Sequence, residues 1–304
     1  METLLKLYKE LLPVMAFIPA GYFISKKFDF NSDYISKPLI NVLLPLLVFT
    51  NMLDAESSKL MILPVLTFLL ALGMNFVAIG AHNKLGSETD PLLLRSSFSF
   101  FNIAFFGIPT VTALFGEDKV SVLICIYLGS ALYGDTIGYY QVAKTKLSSG
   151  EALKEMFKIP FLYVFVAGII CKIAGIETPE AVKPALKVVS FAVSAAGMMI
   201  VGFQLANVKF KNIKFGYFFK LLGVRTIAAA LLMAVIAYGA SLIAKKLEEE
   251  DFRMLALVPL FPIAANVTVF AAFLKADEEQ SSILVFLSMM LSLVLVSVAT
   301  LFLM

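Results

Sequence analysis

The sequence has 304 residues, of which 60% are hydrophobic and only 15% are charged, with a formal net charge of +3. A soluble protein of this length needs a polar surface to cover its core, and so few charged residues cannot provide one. The composition therefore excludes an ordinary soluble domain and predicts a membrane protein. The basic residues fall in short groups between apolar runs, which argues against a nucleic-acid-binding surface.

Ten runs are long and apolar enough to cross a membrane, which takes roughly 20 residues. In chain order these predicted spans cover residues 3–25, 35–53, 59–81, 91–115, 119–141, 159–175, 181–207, 215–243, 252–274 and 280–303. No small-residue cleavage site follows the first run, so we interpret it as a retained span and not a signal peptide. The longest polar stretch, 142–158, is expected to form a cytoplasmic linker with a short amphipathic helix.

The distribution of Lys and Arg predicts that both chain termini lie outside the cell, because cytoplasmic loops are enriched in these residues. With that orientation the inside loops hold Lys26, Lys27, Lys37, Lys84, Arg95, Lys144, Lys146, Lys154, Lys158, Lys209, Lys211, Lys214 and Lys275. One outside group, Lys245, Lys246 and Arg253, runs against the rule. The predicted location is the plasma membrane.

The two halves of the chain show similar features in the same order. An Ala-Gly pair, a polar turn and Lys-Pro occur near residues 20–39 and again near 167–185. Each half then has an uncharged span with one internal proline, Pro109 or Pro262, followed by an acidic turn and one more span. Since five spans is an odd number, the second copy must enter from the opposite side. The fold class is therefore predicted as all-α, with two inverted five-helix repeats at 1–141 and 159–304.

The spans that contain Pro109 and Pro262 are the candidate functional elements. Pro109 follows Gly107, and each proline has an asparagine nearby, Asn102 or Asn266. Proline removes a helix hydrogen bond, so each span either kinks or unwinds there. A simple kink is the alternative, since other predicted spans also contain prolines. Unwinding would start two half-helices near the middle of the membrane, where their N-termini favour an anion such as a carboxylate.

The run from Asn102 to Gly116 (NIAFFGIPTVTALFG), the Pro-x-x-x-Asn of 262–266 and the Ser-rich last span resemble the auxin efflux carrier family. The resemblance extends over essentially the whole chain in length, span number and repeat order. It implies the fold of the bile-acid sodium symporters. In that fold, spans 1, 2, 6 and 7 form a scaffold, and spans 3–5 and 8–10 form a mobile transport domain. Broken spans 4 and 9 cross at their prolines.

The resemblance implies a secondary transporter or permease that moves a small organic anion by elevator-like alternating access. The expected substrate-binding residues are Asn102, Gly107, Pro109, Thr110, Pro262 and Asn266, with Asn51 and Gln204 facing them from the scaffold. In the fifth span the Asn-rich stretch of the family is replaced by residues 131–135, which end in Asp135. Plant members export the auxin anion, but because of this difference we do not expect auxin to be the substrate of this protein.

Asp135 lies well inside the fifth predicted span, where an ionised carboxylate costs at least about 2.5 kcal/mol. One interpretation is a site for proton or cation coupling. The other is a structural carboxylate that pairs with a basic residue or reaches water at the helix end. Lys187 and Arg225 lie near predicted span ends, so we expect them to snorkel to the headgroups without a role in the site.

Two further hypotheses remain open. A sodium-coupled symporter of the bile-acid type would use oxygen ligands, for which Asn102, Thr110, Asn266 and Thr268 are candidates. A membrane-embedded enzyme or receptor is the other, and the single histidine, His82, argues against a catalytic or metal cluster. We therefore expect no enzyme activity, no metal and no cofactor other than a coupling proton or sodium ion. The expected partners are a small organic acid, membrane lipids and a second copy in a homodimer.

Overall fold

The computed structural model describes residues 2–28, 30–57, 59–86, 88–208, 213–243 and 247–303, and this part of the chain is helical except for turns and one isolated antiparallel bridge. Seven helical runs in it are long and apolar enough to cross a membrane, or eight when a pair bent by 45° is counted as one. The seven are Glu2–Lys27, Asp33–Asp54, Leu63–Leu85, Glu117–Lys144, Glu180–Leu205, Phe215–Ile243 and Glu278–Phe302. The protein is a multi-span helical membrane protein.

The α-helices of the first half are α1 Glu2–Met15, α2 Phe17–Lys27, α3 Asp33–Pro38, α4 Leu44–Asp54, α5 Leu63–Leu85, α6 Pro91–Ser99, α7 Ile108–Phe115, α8 Val120–Tyr133 and α9 Tyr139–Lys144. Those of the second half are α10 Ser149–Lys158, α11 Phe161–Ile173, α12 Lys183–Leu205, α13 Phe215–Ile243, α14 Glu249–Leu257, α15 Asn266–Leu274 and α16 Glu278–Leu303. The structure also contains three wider, π-helical turns. Leu39–Leu43 joins α3 to α4, Ile103–Gly107 precedes α7, and Gly134–Gly138 joins α8 to α9.

Two of the ten predicted spans, 91–115 and 252–274, are interrupted in the middle. The first consists of α6, an unwound stretch, a π-turn and α7, and the second of α14, a 3-10 turn, an unwound stretch and α15. Neither half of either segment is long enough to cross a membrane by itself. The count of ten spans and the inverted repeat therefore remain predictions.

Glycine allows α2 and α12 to pack backbone against backbone. A Cβ added at Gly21 would lie 2.3 Å from the carbonyl oxygen of Met199, and one at Gly202 would lie 2.0 Å from that of Ile18. Any side chain at either glycine would force these helices apart. Helices α4 and α11 also pack closely, with the Gly168 position against the Met52 side chain. These contacts join predicted spans 1 and 7, and 2 and 6, the four proposed for the scaffold.

Helix α13 shows which face of the protein meets lipid. Its outward face is a continuous apolar stripe, in which every residue is at least 64% exposed: Ile227, Leu231, Val235, Tyr238 and Leu242. Their spacing of three to four residues places them on one side of the helix. The opposite side packs against α5 and α14 and buries Arg225.

The linker between the halves contains the short helix α10. Ser148 and Glu151 form a capping box at its start, in which the Ser148 side chain accepts a hydrogen bond from the Glu151 N–H and the Glu151 carboxylate accepts one from the Ser148 N–H. Helix α10 meets α11 at the 45° bend. Four lysines used to predict the orientation of the chain lie outside the described residues: Lys209, Lys211, Lys245 and Lys246.

Candidate functional site

The two interrupted segments cross inside the protein and bond to each other through their backbones. The Asn102 N–H donates to the Pro262 carbonyl at 2.9 Å, and the Ala264 N–H donates to the Phe100 carbonyl at 3.0 Å. These bonds pair Phe101 with Ile263 in an antiparallel bridge. Unwound backbone in hydrocarbon is tolerated only where its polar groups find partners. Each segment therefore satisfies the other, and residues 100–102 and 261–265 together are called the crossing below.

The unwound stretch of the first segment lies earlier than the sequence predicts. It covers Phe100–Asn102, whereas Pro109 falls in the first turn of α7, after the π-turn Ile103–Gly107. A proline is tolerated near a helix start because its missing N–H removes little bonding there. The prediction that this helix unwinds at Pro109 is thus wrong by seven residues. Pro262 lies within its own unwound stretch, as predicted.

Both predicted asparagines lie at the crossing and are almost fully buried. Asn102 caps the π-turn, its Oδ1 accepting a hydrogen bond from the Phe105 N–H at 3.1 Å. Asn266 is the first residue of α15, and its Nδ2 donates to Asp135 Oδ1 at 3.0 Å. Asn266 thus connects the crossing to the buried carboxyl group of the fifth predicted span.

Asp135 is held against the crossing by the π-turn Gly134–Gly138. A Cβ at Gly134 would lie 2.3 Å from the Phe100 ring, so only glycine allows this turn to approach the unwound stretch so closely. The Asp135 side chain is 3% exposed and has no Lys or Arg partner in the part of the chain that the structure describes. Its partner is an amide, which leaves the carboxyl group without a countercharge in contact.

A cleft of about 540 Å³ lies beside the crossing. Its lining residues come from α1, α4, α7, α8 and α12, with Ala104 from the π-turn before α7. The uncharged polar side chains that line it are Thr50, Asn51, Thr112, Ser190 and Ser194, and the charged ones are Lys9, Glu10, Asp54, Glu117, Lys183 and Lys187. Lys187 and Glu117 are both 80% exposed, and their charged atoms are 3.9 Å apart. The mouth of the cleft is therefore ringed by both signs of charge.

A second, much smaller cavity of about 10 Å³ lies within the crossing itself. Its lining residues are Phe100, Phe101, Asn102, Ala104, Phe105, Tyr127, Ala264 and Asn266. This volume is close to that of a single water site. Ala104 lines both this cavity and the large cleft, so the two are adjacent at this residue.

The predicted scaffold residues have different positions. Asn51 lines the cleft and is 9% exposed. Gln204 lies at the other end of α12, about 15 Å along the helix from Ser194, which lines the cleft. Its side chain interacts with the Glu278 carboxyl group instead. The structure therefore brings Asn51, but not Gln204, near the crossing.

Thr110 and Gly107, in and just before α7, make packing or hydrogen-bond contacts with other residues of the protein. The Thr110 hydroxyl donates to the Phe106 carbonyl at 2.7 Å and does not line the cleft, whereas its neighbour Thr112 does. A Cβ at Gly107 would lie 2.9 Å from the Phe261 ring, so this glycine lets the segment pack on the second unwound stretch.

Arg225 of α13 contacts the crossing, which the sequence did not lead us to expect. It is 2% exposed, its Nη1 donates to the Phe261 carbonyl at 3.1 Å, and its Cζ lies 4.3 Å from the centre of the Phe101 ring. The expectation that it snorkels to the headgroups is wrong. Its position ten residues into α13, about 15 Å from the helix start, was the available signal, because an ionisable group that deep is expected to have a specific function.

The chain is similar to two archaeal proteins named as uncharacterized transporters. It is 24% identical over 271 residues to one from Methanothermobacter thermautotrophicus, an alignment that covers 87% of this chain and 86% of that protein. It is 28% identical over 227 residues to one from Methanocaldococcus jannaschii, covering 68% of this chain and 70% of that protein. No protein-family profile matches the chain. These relatives, together with the multi-span helical fold, support a transporter.

Proposed function

We propose that the protein is a secondary transporter that moves a small organic anion with a carboxylate group across the plasma membrane. The observation that carries the proposal is the crossing of two unwound segments inside a helical membrane protein, beside a cleft that reaches the surface. Discontinuous helices in transporters place half-helix ends at the substrate site near the middle of the bilayer. Here the π-turn at Ile103 and helix α15 at Asn266 both begin at the crossing.

Unpaired donors around the crossing favour a carboxylate over a cation as the substrate group. Asn51 Nδ2 and Asn102 Nδ2 are buried, and neither has a hydrogen-bond partner in the described chain. Leaving a buried donor unsatisfied costs about 1–3 kcal/mol. A carboxylate offers acceptors only, so it can bond to such N–H groups, and the N-terminal ends of the half-helices favour its negative charge.

The arrangement of contacts supports alternating access by relative movement of two helix groups. The cleft is lined by α1, α4 and α12, which are predicted scaffold helices, and by α7 and α8, which are predicted transport helices. The two groups are also in contact, α1 with α7 and α4 with α8. At the other end of the Asp33–Asp54 run, an ion pair of 2.5 Å connects a predicted scaffold span to a predicted transport span, between Asp33 at the start of α3 and Lys275 after α15. Asp33 and Asp54 are the ends of one 22-residue run, which spans about 33 Å. We propose that transport opens the Asp33 end while it closes the cleft.

Asp135 is the proposed coupling residue, as a proton carrier. It is buried at the crossing and bonded to Asn266, so its charge state acts directly on the segment that carries the half-helix end. Sodium coupling is the second candidate, because the Thr268 hydroxyl oxygen is buried and has no partner among the described residues. Sodium-dependent stabilisation in thermal melts would favour the second candidate, and indifference to sodium would favour the first.

The test is uptake of a panel of labelled carboxylates into proteoliposomes, with the variants Asn102→Ala and Asn51→Ala. We expect each variant to lower the flux at least tenfold while the protein remains folded. Asn41→Ala is the matched control, because Asn41 is exposed and lies in the same span as Asn51. Flux that stays at the wild-type level in both site variants would show that the substrate does not bind at the crossing.

A further inference from the structure

Two buried groups of opposite charge, Arg225 and Asp135, contact the unwound stretches of the crossing or the residue next to them. Each stretch is called a strand below. Arg225 contacts Phe101 of one strand and Phe261 of the other. Asp135 contacts Asn266, the residue that directly follows the second strand. Phe261 and Asn266 are five positions apart in the sequence, so the strand separates the two contact points by at most about 18 Å. The two charges thus contact the same crossing, or the residue next to it, without forming a contact ion pair.

Arg225 has no acidic group in contact with it in the described structure. The elements packed against α13 carry titratable groups only near their ends: His82 and Lys84 of α5, Glu249, Glu250, Asp251 and Arg253 of α14, and Glu278 and Glu279 of α16. None of them forms an ion pair with the guanidinium among the described residues. Its Nε and Nη2 are buried and lack hydrogen-bond partners there as well. A buried charge of this kind needs compensation from elsewhere in the protein or from a ligand.

Asp135 is isolated in the same way. The titratable groups on the elements packed around its π-turn are Cys125, Tyr127 and Tyr133 of α8, Arg95 of α6, Tyr139, Tyr140 and Lys144 of α9, and Tyr163, Cys171 and Lys172 of α11, while α15 carries none. None of the basic groups pairs with the carboxyl group in the described chain. Arg95 bonds instead to Asn75, and Lys172 to the Leu53 carbonyl. Arg225 is therefore the positive charge that shares the crossing with Asp135.

We propose that Arg225 is the fixed countercharge of the crossing, balanced in turn by ionised Asp135 when the site is empty and by the substrate carboxylate when it is loaded. This inference rests on the proposed function. On loading, one carboxylate binds at the crossing and one proton binds to the Asp135 carboxylate. The charge inside the protein is then the same before and after loading. A monocarboxylate and a proton accordingly cross together, and the transport cycle moves no net charge.

A purely structural role for Arg225 makes a different prediction. In that role the guanidinium only ties Phe101 to Phe261, and a neutral side chain that keeps a hydrogen bond to the Phe261 carbonyl would replace it. The charge-balance role requires a positive charge, which lysine preserves and glutamine does not. Arg225→Lys and Arg225→Gln therefore distinguish the two roles.

The first test measures the proton affinity of Asp135 by infrared spectroscopy of the purified full-length protein in lipid nanodiscs. The C=O band of the protonated Asp135 carboxyl group is identified by its loss in Asp135→Asn. Without the positive charge of Arg225 the ionised carboxylate is less stable, so the band should persist to higher pH. We expect Arg225→Gln to raise the proton affinity on the order of tenfold and Arg225→Lys to change it less than threefold. Equal affinities in wild type and Arg225→Gln would overturn the proposal.

The second test uses the wild-type protein, so it holds even if Arg225→Gln does not fold. Calorimetric titration with benzoate, in buffers of different ionisation enthalpy, gives the number of protons taken up for each benzoate bound. At a pH where the infrared titration shows Asp135 ionised, we expect about one proton in wild type and none in Asp135→Asn. Benzoate binding without proton uptake would overturn the proposal. A third outcome is that benzoate does not bind while Arg225→Gln still raises the proton affinity of Asp135 in the infrared test. That outcome would refute the proposed substrate but support the charge balance between Arg225 and Asp135.

Discussion

The Nδ2 of Asn266 donates a hydrogen bond of 3.0 Å to Oδ1 of Asp135, across 131 residues of sequence. One partner is the first residue of α15 and the other lies in the π-turn between α8 and α9. The bond places an ionisable group at the start of a half-helix inside the membrane. We therefore expect proton binding at Asp135 to act on the element that we propose to hold the substrate.

Close packing of the π-turn on the crossing predicts that Gly134→Ala destabilises the protein. The added methyl group would lie 2.3 Å from the Phe100 ring, which must then shift at a cost of about 1–3 kcal/mol. Thermal unfolding in detergent should show a lower melting temperature. Gly223→Ala is the matched control, since nothing lies within 4 Å of its Cβ position in α13. A Gly134→Ala melting temperature equal to that of the control would contradict the packing.

The buried ion pair between Lys59 and Asp251 predicts a large loss of stability when one partner is removed. Lys59 Nζ lies 2.8 Å from Asp251 Oδ1, and both side chains are buried. Lys59→Met would leave the Asp251 charge uncompensated and cost about 3–5 kcal/mol. Lys6→Met breaks an exposed pair with Glu2 and should change the melting temperature little. Equal effects of the two substitutions would show that the Lys59 pair is not a stabilising contact.

The same pair predicts how stability depends on pH. Burial acts to lower the pKa of Lys59, but the hydrogen bond and charge of Asp251, together with the charges of Glu56 and Glu248, outweigh it, so its pKa is raised. A raised lysine pKa stabilises the folded state fully below the unfolded value of about 10.4, and this contribution is lost as the pH rises through the folded pKa. Wild type should thus lose melting temperature above about pH 10 more steeply than Lys59→Met. Parallel curves would contradict the linkage.

The ion pair between Asp33 and Lys275 predicts a shift in the conformational equilibrium when it is broken. The pair is partly exposed. Exposed pairs contribute about 0.2–1 kcal/mol, so we expect Lys275→Ala to favour closure of the cleft by up to about fivefold. The readout is the labelling rate of Ser194→Cys in the cleft, in a background without Cys125 and Cys171, and we expect it to fall. Lys214→Ala is the control, because it breaks the Lys214–Glu88 pair, which does not connect the two helix groups. Unchanged labelling in Lys275→Ala would show that this pair does not hold the cleft open.

A hydrogen-bond acceptor shared by two donors within the predicted transport helices predicts the effect of Asn75→Leu. Asn75 Oδ1 accepts hydrogen bonds of 2.8 Å from both Arg95 Nε and Gln141 Nε2. Interhelical hydrogen bonds in membrane proteins contribute about 0.6 kcal/mol each, up to about 1.7. We therefore expect a loss of about 1–3 kcal/mol in a denaturation assay in detergent, whereas Asn41→Leu at the exposed site should lose less. A stable Asn75→Leu variant would refute this role.

Several features of the site follow from residues that are close in sequence. Proline with a nearby asparagine correctly marked both interrupted segments, because each residue type has a local cost in a membrane helix. The exact location of the first break did not follow, since Phe100–Asn102 contains no proline. Gln204 was assigned to the site from the resemblance, but its place at the far end of α12 puts it beside Glu278 instead.

The sequence by itself determined that this protein consists of membrane helices, because runs of about 20 apolar residues with few charges have no other stable surroundings. It also determined which two segments are interrupted. Only the tertiary structure decided where the first one unwinds, since the Asn102 N–H and the Phe100 carbonyl find their partners in Pro262 and Ala264. The burial of Arg225 was likewise decided by Phe101 and Phe261, which are distant in sequence and meet only when the two segments cross.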